Sequence, residues 1–273
     1  MGTTEIVVQA DEVAACWEAN AEAWTVHSRA GYDVCRDKHN TPAFLAMLPE
    51  IDGLTGLDIG CGEGSNTRQL ARLGAKMKAI DIAPTFIRHA QASEEAEPLG
   101  IDYCVADGQE LPFAVESFDF VAAFMSLMDI PDQPRVLGEA ARVLRPGGFL
   151  QFSILHPCFV PPHRKVLREP DGTPRAIEIA RYFDNAAGEV ETWWFSALPR
   201  EQRGDYPPFR IPRFHRTLSS WLGIVVDAGL SIEKLGEPCA TEEEARAIPA
   251  VDDTRIAPLF LHIRARKPER QLL

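Results

Sequence analysis

Short apolar runs alternate along most of the chain with segments whose apolar residues recur every three or four positions. Runs of the first kind are typical of buried strands, and segments of the second kind are typical of amphipathic helices. The expected strands are "GLDIG", "KMKAID", "IDYCVAD", "FDFVAAFMSL" and "GGFLQFSIL", and the expected helices span 65–73, 84–96 and 133–144. This alternation favours parallel strands with helices on both faces of the sheet. We therefore predict a doubly wound α/β core.

The part of the chain before this core has a different pattern. Apolar residues recur at helical spacing over 11–28, and a second, shorter helix is expected over 41–50. We expect residues 1–50 to form a helical lid segment and residues 51–273 to form one domain.

A long interruption follows the fifth strand. Residues 156–215 are rich in prolines and aromatic residues, as in "HPCFVPPH", "TWWFS" and "YPPFRIPRF". A segment of this length inside a compact domain is either functional or has structure of its own. The alternation then resumes with a helix over 217–228 and with the strands "LSIEKLGEP" and "LFLHIRARKP". We expect the insertion, residues 156–215, to form a cap over a substrate.

Composition narrows the class of protein. The 273 residues are 45% hydrophobic and 25% charged, as in ordinary globular proteins, and the formal net charge of −12 disfavours nucleic acid as a partner. The six cysteines form no C-x-x-C pair and show no metal-ligand spacing, so we expect reduced thiols and no metal site. No apolar run approaches the ~20 residues of a spanning helix, and "MGTTEIVV" resembles neither an export nor a myristoylation signal. These features predict a cytoplasmic protein that does not bind membranes.

A glycine-rich loop joins the first strand to the next helix. Gly60, Gly62 and Gly64 let the backbone turn sharply and approach a ligand, and the helix that follows offers unpaired N–H groups. Asp81, at the end of the second strand, can accept hydrogen bonds from both hydroxyls of a ribose. The dinucleotide pattern G-x-G-x-x-G would require a third glycine at Ser65. The loop therefore predicts a nucleotide ligand other than NAD.

Three segments together resemble a known family. "LDIGCGEG" resembles the first motif of class I S-adenosylmethionine-dependent methyltransferases. "VADGQELPFAVESFDFVAAFMSLMDIPD" and "EAARVLRPGGFLQFSI" resemble later segments of the branch that includes the ubiquinone and menaquinone biosynthesis methyltransferases. The resemblance extends from about Leu54 to Pro268. It implies a Rossmann-like seven-stranded sheet of order 3-2-1-4-5-7-6, in which strand 7 is antiparallel and the last two expected strands form the final pair.

The resemblance also implies S-adenosylmethionine as the cofactor and a set of contact residues. Residues of the glycine loop and of the end of the fourth strand correspond to contacts with the methionine half: Asp58, Gly60, Cys61, Gly62, Phe124 and Met125. Residues that follow the second and third strands correspond to contacts with the adenosine half: Asp81, Ile82, Asp107 and Gly108. Arg36, in the lid segment, is expected to pair with a carboxylate, and a solvated salt bridge is the alternative.

The acceptor pocket is expected to lie beneath the insertion and the lid segment. Its candidate residues are Tyr32, Met128, Tyr182, Trp193 and Trp194. The alternative for each aromatic residue of the insertion is a small satellite core. We expect the helix that carries Trp17 and Trp24 to pack on the sheet or on a lid rather than to contact a ligand.

Two histidines are candidate catalytic bases. His156 lies just after the fifth strand and His215 just before the helix that follows the insertion. The ordinary pKa of histidine suits a general base at neutral pH. A structural role in capping or hydrogen bonding is the alternative for both.

The expected activity is methyl transfer to a small molecule by in-line displacement. An alternative is non-methyl chemistry on the same cofactor, either transfer of the aminobutyl arm or cyclisation with release of methylthioadenosine. A protein that binds the cofactor without turnover is a third possibility. The sequence leaves the oligomeric state and the identity of the acceptor open.

Overall fold

The structure is a computed structural model that describes residues 9–184 and 187–270. Its strands in this part of the chain are β1 (Thr55–Ile59), β2 (Lys76–Asp81), β3 (Asp102–Val105), β4 (Phe118–Phe124), β5 (Leu144–Leu155), β6 (His163–Arg168), β7 (Pro174–Ala180), β8 (Ala187–Trp193), β9 (Phe209–Phe214), β10 (Ser231–Gly236) and β11 (Phe260–Arg266). Its helices are α1 (Ala10–Arg29), α2 (Thr41–Met47), α3 (Ser65–Arg72), α4 (Pro84–Ala96), α5 (Gln133–Val143), α6 (Leu218–Asp227) and α7 (Glu242–Ala247). The expectation about signals in "MGTTEIVV" concerns residues 1–8, which lie outside the described residues.

Seven strands form the central sheet, in the order β10-β11-β5-β4-β1-β2-β3. The five neighbouring strands β3, β2, β1, β4 and β5 pair in parallel. Strand β11 runs antiparallel to both of its neighbours, β5 and β10. This arrangement confirms the predicted order 3-2-1-4-5-7-6, with β10 as the sixth strand and β11 as the seventh.

The two faces of the sheet bury separate apolar clusters, because side chains alternate along β4. Val121 packs in one cluster and Phe120 in the other, where its ring stacks on Phe149 with a centroid distance of 5.4 Å and an interplanar angle of 11°. Gly56, the partner of Phe120 on β1, leaves room for this ring, since a Cβ there would lie 2.2 Å from the ring's Cζ atom. The strands are therefore buried on both faces, as parallel strands usually are.

The fourth strand is shorter than its sequence predicts. The apolar run continues to Leu127, but β4 ends at Phe124 because Met125 adopts a positive φ of 56°. A 3-10 turn, Leu127–Asp129, follows at once. The chain therefore leaves the sheet three residues early, and the three residues of the turn are buried at the carboxyl end of β4.

The insertion has strand structure of its own. Strands β6 and β7 form one antiparallel hairpin, and β8 and β9 form another. The second hairpin packs on α1, where the amide of Asn20 donates to the carbonyl oxygen of Arg210 at 2.9 Å and accepts from its backbone N–H at 3.1 Å. Trp24 of α1 packs edge-on against Phe195 and Trp193 of the insertion. Helix α1 and the β8–β9 hairpin therefore form one continuous layer, which we call the roof.

Two further findings concern the expectations about membrane helices and cysteines. None of the helices described is long and apolar enough to cross a membrane. The six cysteines all lie in the described part of the chain and carry free thiols.

Candidate active site

A cavity of about 750 Å³ lies between the sheet and the roof. Its floor consists of the carboxyl ends of β1, β2 and β4, where Asp81 and Phe124 line it, and Trp24 and Trp193 line it from the roof. Pockets for small molecules usually have volumes of about 300 to 1,000 Å³. The carboxyl ends of parallel strands are also where α/β folds bind their ligands. The cavity is therefore the candidate active site.

The glycine loop forms one end of the floor. Gly60 has a φ of +75° and approaches the 3-10 turn so closely that a Cβ atom would lie 2.4 Å from the Cβ of Ser126. Gly62 has a φ of +57° and nothing within 4 Å of the place where its Cβ would be. One glycine therefore allows close packing of the protein on itself, and the other leaves open space beside the cavity.

Gly64 explains the departure from the dinucleotide pattern. It precedes α3 with a φ of +89°, and a Cβ there would lie 2.7 Å from the hydroxyl of Tyr103. Both the left-handed conformation and the contact with β3 require glycine at this position. Ser65 can therefore stand where the dinucleotide pattern has its third glycine.

Asp81 closes the loop from the next strand. Its Oδ2 atom accepts a hydrogen bond from the backbone N–H of Gly62 at 2.8 Å, and Oδ1 accepts one from Ala83 at 2.9 Å. Burial raises the pKa of this carboxyl to about 6, although these backbone N–H groups favour the ionised form. A carboxylate has about four acceptor positions, so Asp81 can accept further hydrogen bonds from ligand hydroxyls.

Asp58 lies at the end of β1 and is almost fully buried. Thr67 donates to its Oδ2 atom at 2.6 Å, while Oδ1 is buried without a hydrogen-bond partner among the described residues. Burial raises the pKa of this carboxyl to about 7. An unpaired buried oxygen of this kind calls for a polar or cationic ligand group. The ammonium group of the cofactor's methionine half fits this requirement.

Asp107 and Gly108 line the cavity after β3, and Ile82 lines it after β2. Asp107 accepts hydrogen bonds from the backbone N–H of Gln109 at 2.8 Å and from its side-chain amide at 3.0 Å. Cys61, within the glycine loop, also lines the floor. The structure therefore brings the predicted adenosine and methionine contacts into one cavity.

Comparison with known proteins agrees with this geometry. A family model described as a methyltransferase domain matches residues 57–152. A ubiquinone biosynthesis O-methyltransferase from Xanthomonas oryzae pv. oryzae is 36% identical over 116 residues, which are 41% of this chain and 48% of that protein. The chain therefore spans about half the length of this relative.

Solved structures extend the likeness to most of the chain. An S-adenosylmethionine dependent methyltransferase from Mesorhizobium loti is 28% identical with a TM-score of 0.66, and the match covers 83% of this chain and 96% of that one. Residues 57–152 therefore form a methyltransferase domain. The [4+2]-cyclase SpnF has a TM-score of 0.63 at 18% identity, covering 97% of this chain and 98% of that one, which shows the fold alone.

Arg36 lines the cavity beside its glycine loop, but acidic residues of the protein already surround the guanidinium group. It pairs with Glu63 at 3.1 Å, Asp37 at 2.9 Å and Asp33 at 3.5 Å. The Arg36 side chain is only 14% exposed, so this is not the solvated salt bridge that the sequence left open. Pairing of Arg36 with a cofactor carboxylate stays a prediction.

The other end of the cavity, which we call the acceptor end, lies between the 3-10 turn after β4 and the roof. Tyr32, Met128, Trp193 and Trp194 all line the cavity, as the sequence predicts. The hydroxyl of Tyr32 donates to Gln202 at 2.7 Å and is therefore already engaged. Trp17 and Trp24 also line the cavity, and their helix packs on the insertion, as the sequence predicts.

His156 lies outside the cavity lining, which corrects its assignment as a base. Its Nε2 atom is 2.8 Å from Glu237, and Nδ1 accepts a hydrogen bond from the backbone N–H of Cys158. Burial lowers its pKa. His156 is therefore a structural residue that fixes the start of the insertion.

His215 and Tyr182 also lie outside the lining. Nε2 of His215 is 2.9 Å from the carbonyl oxygen of Tyr182, and the Tyr182 hydroxyl accepts a hydrogen bond from the backbone N–H of Leu218 at 3.0 Å. These bonds hold the end of the insertion against α6. The structural alternative therefore applies to both histidines, and Tyr182 is corrected as a pocket residue.

Three charged residues at the acceptor end were missed. Asp129, the last residue of the 3-10 turn, is buried and lines the cavity together with Glu191 and Arg213 of the β8–β9 hairpin. Arg213 pairs with Glu191 at 2.8 Å. Burial raises the pKa of Asp129 well above its usual range, and attraction to Arg213 offsets this only in part. The signal in the sequence was an acid shortly after the fourth strand, in "MDIPD".

Proposed function

We propose that this protein is an S-adenosylmethionine-dependent methyltransferase that transfers the methyl group to a small molecule. The observation that carries the proposal is the buried carboxyl group of Asp58, whose Oδ1 atom has no partner among the described residues and which lines the same cavity as Asp81 and the glycine loop. The cavity continues from there to an apolar roof. It can therefore hold a cofactor at one end and an acceptor at the other.

The binding roles follow from the contacts. Asp58 binds the ammonium group of the cofactor, and Gly62 leaves open space for its methionine half. Asp81 accepts hydrogen bonds from the ribose hydroxyls, and Asp107 accepts from the adenine amino group. When bound, the cofactor supplies a methyl group attached to a positively charged sulfur. That sulfur is the activated leaving group.

The rest of the protein's contribution is alignment and exclusion of water. The roof residues Trp193 and Trp194 bury the acceptor against the 3-10 turn after β4. Holding the nucleophile in line with the breaking bond makes the reaction effectively unimolecular, which lowers its entropic cost. We therefore assign to the roof both the shielding of the reaction and the choice of the acceptor.

The acceptor is proposed to be a small molecule rather than a nucleic acid. Seven carboxyl groups and two guanidinium groups line the cavity in the described part of the chain: Asp33, Asp58, Glu63, Asp81, Asp107, Asp129 and Glu191, with Arg36 and Arg213. This balance opposes a polyanion. The name of the Xanthomonas relative, a ubiquinone biosynthesis O-methyltransferase, supports an oxygen nucleophile. We propose a cytoplasmic location because the six cysteines carry free thiols and form no C-x-x-C pair.

Calorimetric titration and product analysis test the proposal. S-adenosylmethionine and S-adenosylhomocysteine should bind, and NAD should bind far more weakly or not at all. Incubation of methyl-labelled cofactor with pools of small hydroxylated or amine-bearing compounds should yield S-adenosylhomocysteine and a labelled product. Release of methylthioadenosine would instead favour aminobutyl transfer or cyclisation, and NAD binding as tight as that of the cofactor would overturn the assignment.

A further inference from the structure

One carboxyl group in the cavity differs from the other six. Each of those six accepts at least one hydrogen bond from the protein: Asp33 from Arg36, Asp58 from Thr67, Glu63 from Ser65, Asp81 from Gly62, Asp107 from Gln109 and Glu191 from Arg213. The carboxyl oxygens of Asp129 accept none from the described residues, although the residue is only 8% exposed. Buried polar groups are normally paired. Asp129 is therefore free to accept a hydrogen bond from a ligand.

The position of Asp129 indicates which part of a ligand it meets. Its turn is attached to the glycine loop, since Ser126 donates to the carbonyl oxygen of Ile59 at 2.6 Å and Gly60 packs directly against Ser126. The proposed methionine contacts therefore lie immediately beside this turn.

The roof meets Asp129 from the other side. Arg213 of β9 attracts its carboxyl group and Glu191 of β8 repels it, while Arg213 is held by Glu191 and by the carbonyl oxygen of Val160. Asp129 thus lies where the acceptor end of the cavity meets the end formed by the glycine loop, Asp58 and Asp81, which we call the cofactor end. That is where a methyl group would pass from one ligand to the other.

We propose that Asp129 is the general base of the methyl transfer, and that the acceptor therefore presents an O–H or N–H group to it. This inference rests on the proposed function. In the step, the nucleophile forms a bond to the methyl carbon while the carbon–sulfur bond breaks and its electron pair stays on sulfur. The X–H bond of the acceptor breaks and its proton passes to the Asp129 carboxylate.

The surroundings suit this role. Burial without a protein hydrogen bond makes the carboxylate a stronger proton acceptor than an exposed one. Asp129 is also better placed than the two histidines that the sequence favoured, since neither lines the cavity. The remaining carboxyl groups in the lining already accept hydrogen bonds from the protein. The base is therefore expected to be a carboxylate from the core rather than a residue of the insertion.

A pair of cofactor analogues tests this placement without a known acceptor. Sinefungin carries an ammonium-bearing carbon where the cofactor carries its methylated sulfur, whereas S-adenosylhomocysteine has no group there. A carboxylate beside the methyl position must bind that ammonium group. Asp129→Asn should therefore weaken sinefungin binding about tenfold or more, because a charge-assisted hydrogen bond is lost. The affinity for S-adenosylhomocysteine should change less than about twofold.

Asp132→Asn is the matched control. Asp132 lies on the same loop, outside the cavity lining, and caps α5 by accepting from the backbone N–H of Arg135 at 3.1 Å. Asparagine caps helices as well as aspartate does, so both analogues should bind this variant as they bind the wild type. Asp129→Ala serves as a second variant and should show the same selective loss of sinefungin binding.

The possible outcomes separate the two proposals. If both analogues bind wild-type protein but Asp129→Asn weakens neither or both equally, Asp129 does not face the methyl position and the inference is overturned alone. If neither analogue binds the wild-type protein, the proposed function fails, and the inference fails with it. A selective loss of sinefungin in both Asp129 variants, with the control unchanged, supports the base assignment.

Discussion

Backbone groups form most of one end of the cavity, and large side chains form most of the other. The cofactor end consists of backbone turns and of carboxylates that the backbone itself holds, as Gly62 and Ala83 hold Asp81. The acceptor end consists of large side chains from segments far apart in the sequence, such as Trp24 and Trp193, whose ring centroids are 5.6 Å apart. Backbone turns tolerate few substitutions, whereas a wall of side chains can change its shape one residue at a time. The fold therefore keeps one ligand constant and leaves the other free to differ.

The largest effect is expected at the most crowded turn of the cofactor end. Gly60→Ala adds a Cβ at a φ of +75° and 2.4 Å from the Cβ of Ser126. Backbone strain and overpacking cost about 1 to 3 kcal/mol each, so the free energy of unfolding should fall by about 2 to 6 kcal/mol. Urea denaturation measures this change.

Gly100→Ala is the control for that experiment. Gly100 has a φ of +79° but nothing within 4 Å of a Cβ, so only the strain should remain. If both variants lose the same stability, the close approach of Gly60 to the 3-10 turn has no energetic importance.

The two neighbouring tryptophans of the roof should separate packing from ligand contact. Trp193 packs on Phe195 and Phe209 with ring centroids 5.8 and 5.2 Å apart, whereas no aromatic ring in the described residues packs on Trp194. Trp193→Ala should therefore lower the free energy of unfolding by about 3 kcal/mol and Trp194→Ala by less than half of that. Thermal and urea denaturation measure both.

The same pair also tests which ligand the roof contacts. Trp194→Ala should leave the affinity for S-adenosylmethionine within about threefold of wild type while it lowers kcat/KM for the acceptor about tenfold or more. Lost cofactor affinity with unchanged acceptor preference would show that the roof belongs to the cofactor end.

Each end of the cavity can be predicted from the sequence only as far as its residues lie close together in the chain. The cofactor end could be predicted because its residues lie in short contiguous motifs, each fixed by one turn. The roof could be predicted only in part. The insertion with Trp193 and Trp194 was expected over the acceptor, but Trp17 and Trp24 meet it only in the folded chain, and their helical spacing is equally typical of a packing face. Position at a strand end misled the assignment of His156, whose ring points to Glu237 rather than to the cavity.

Asp129 illustrates a further limit. It stands in "MDIPD" three residues before Asp132, and nothing local distinguishes the acid that enters the cavity from the one that caps a helix. The early end of β4 at Met125, with its positive φ, decides between them. The fold class was predictable from repeated patterns and the strand order from the family resemblance, whereas this choice depends on one backbone angle.

A smaller effect is expected from the charge of Asp81, which we propose binds the ribose. Asp81→Asn keeps the size of the side chain but removes its charge, and hydrogen bonds to charged groups contribute about 1.5 to 3 kcal/mol. The dissociation constant for S-adenosylmethionine should therefore rise roughly ten- to a hundredfold by calorimetry. Asp102→Asn, at an exposed ion pair with Lys78, is the control and should leave it unchanged. An unaltered constant in Asp81→Asn would remove Asp81 from the site.

The smallest effect is a pH dependence that belongs to the cofactor end alone. The pKa of Asp81 is raised by burial to about 6, so in the unliganded protein the carboxyl is half protonated near pH 6. Ribose hydroxyls prefer the ionised form, so affinity for the cofactor should fall as the pH decreases through about 6. Stability of the unliganded protein should change in the opposite direction. Between the unfolded pKa near 4 and the folded pKa near 6 the folded state binds the extra proton, so the free energy of unfolding decreases as pH rises.

Asp81→Asn tests both halves of this dependence, because it removes the titrating group and keeps the shape. Between pH 7.5 and 5.5 the ionised fraction of a group with a pKa of 6 falls by a factor of about two to four. The cofactor affinity of the wild type should therefore fall by about this factor more than that of the variant. Asp58, whose pKa is raised to about 7, stays in the variant and contributes the slope that remains. Equal slopes in variant and wild type would mean that Asp81 is ionised throughout this range, and that its backbone hydrogen bonds outweigh its burial.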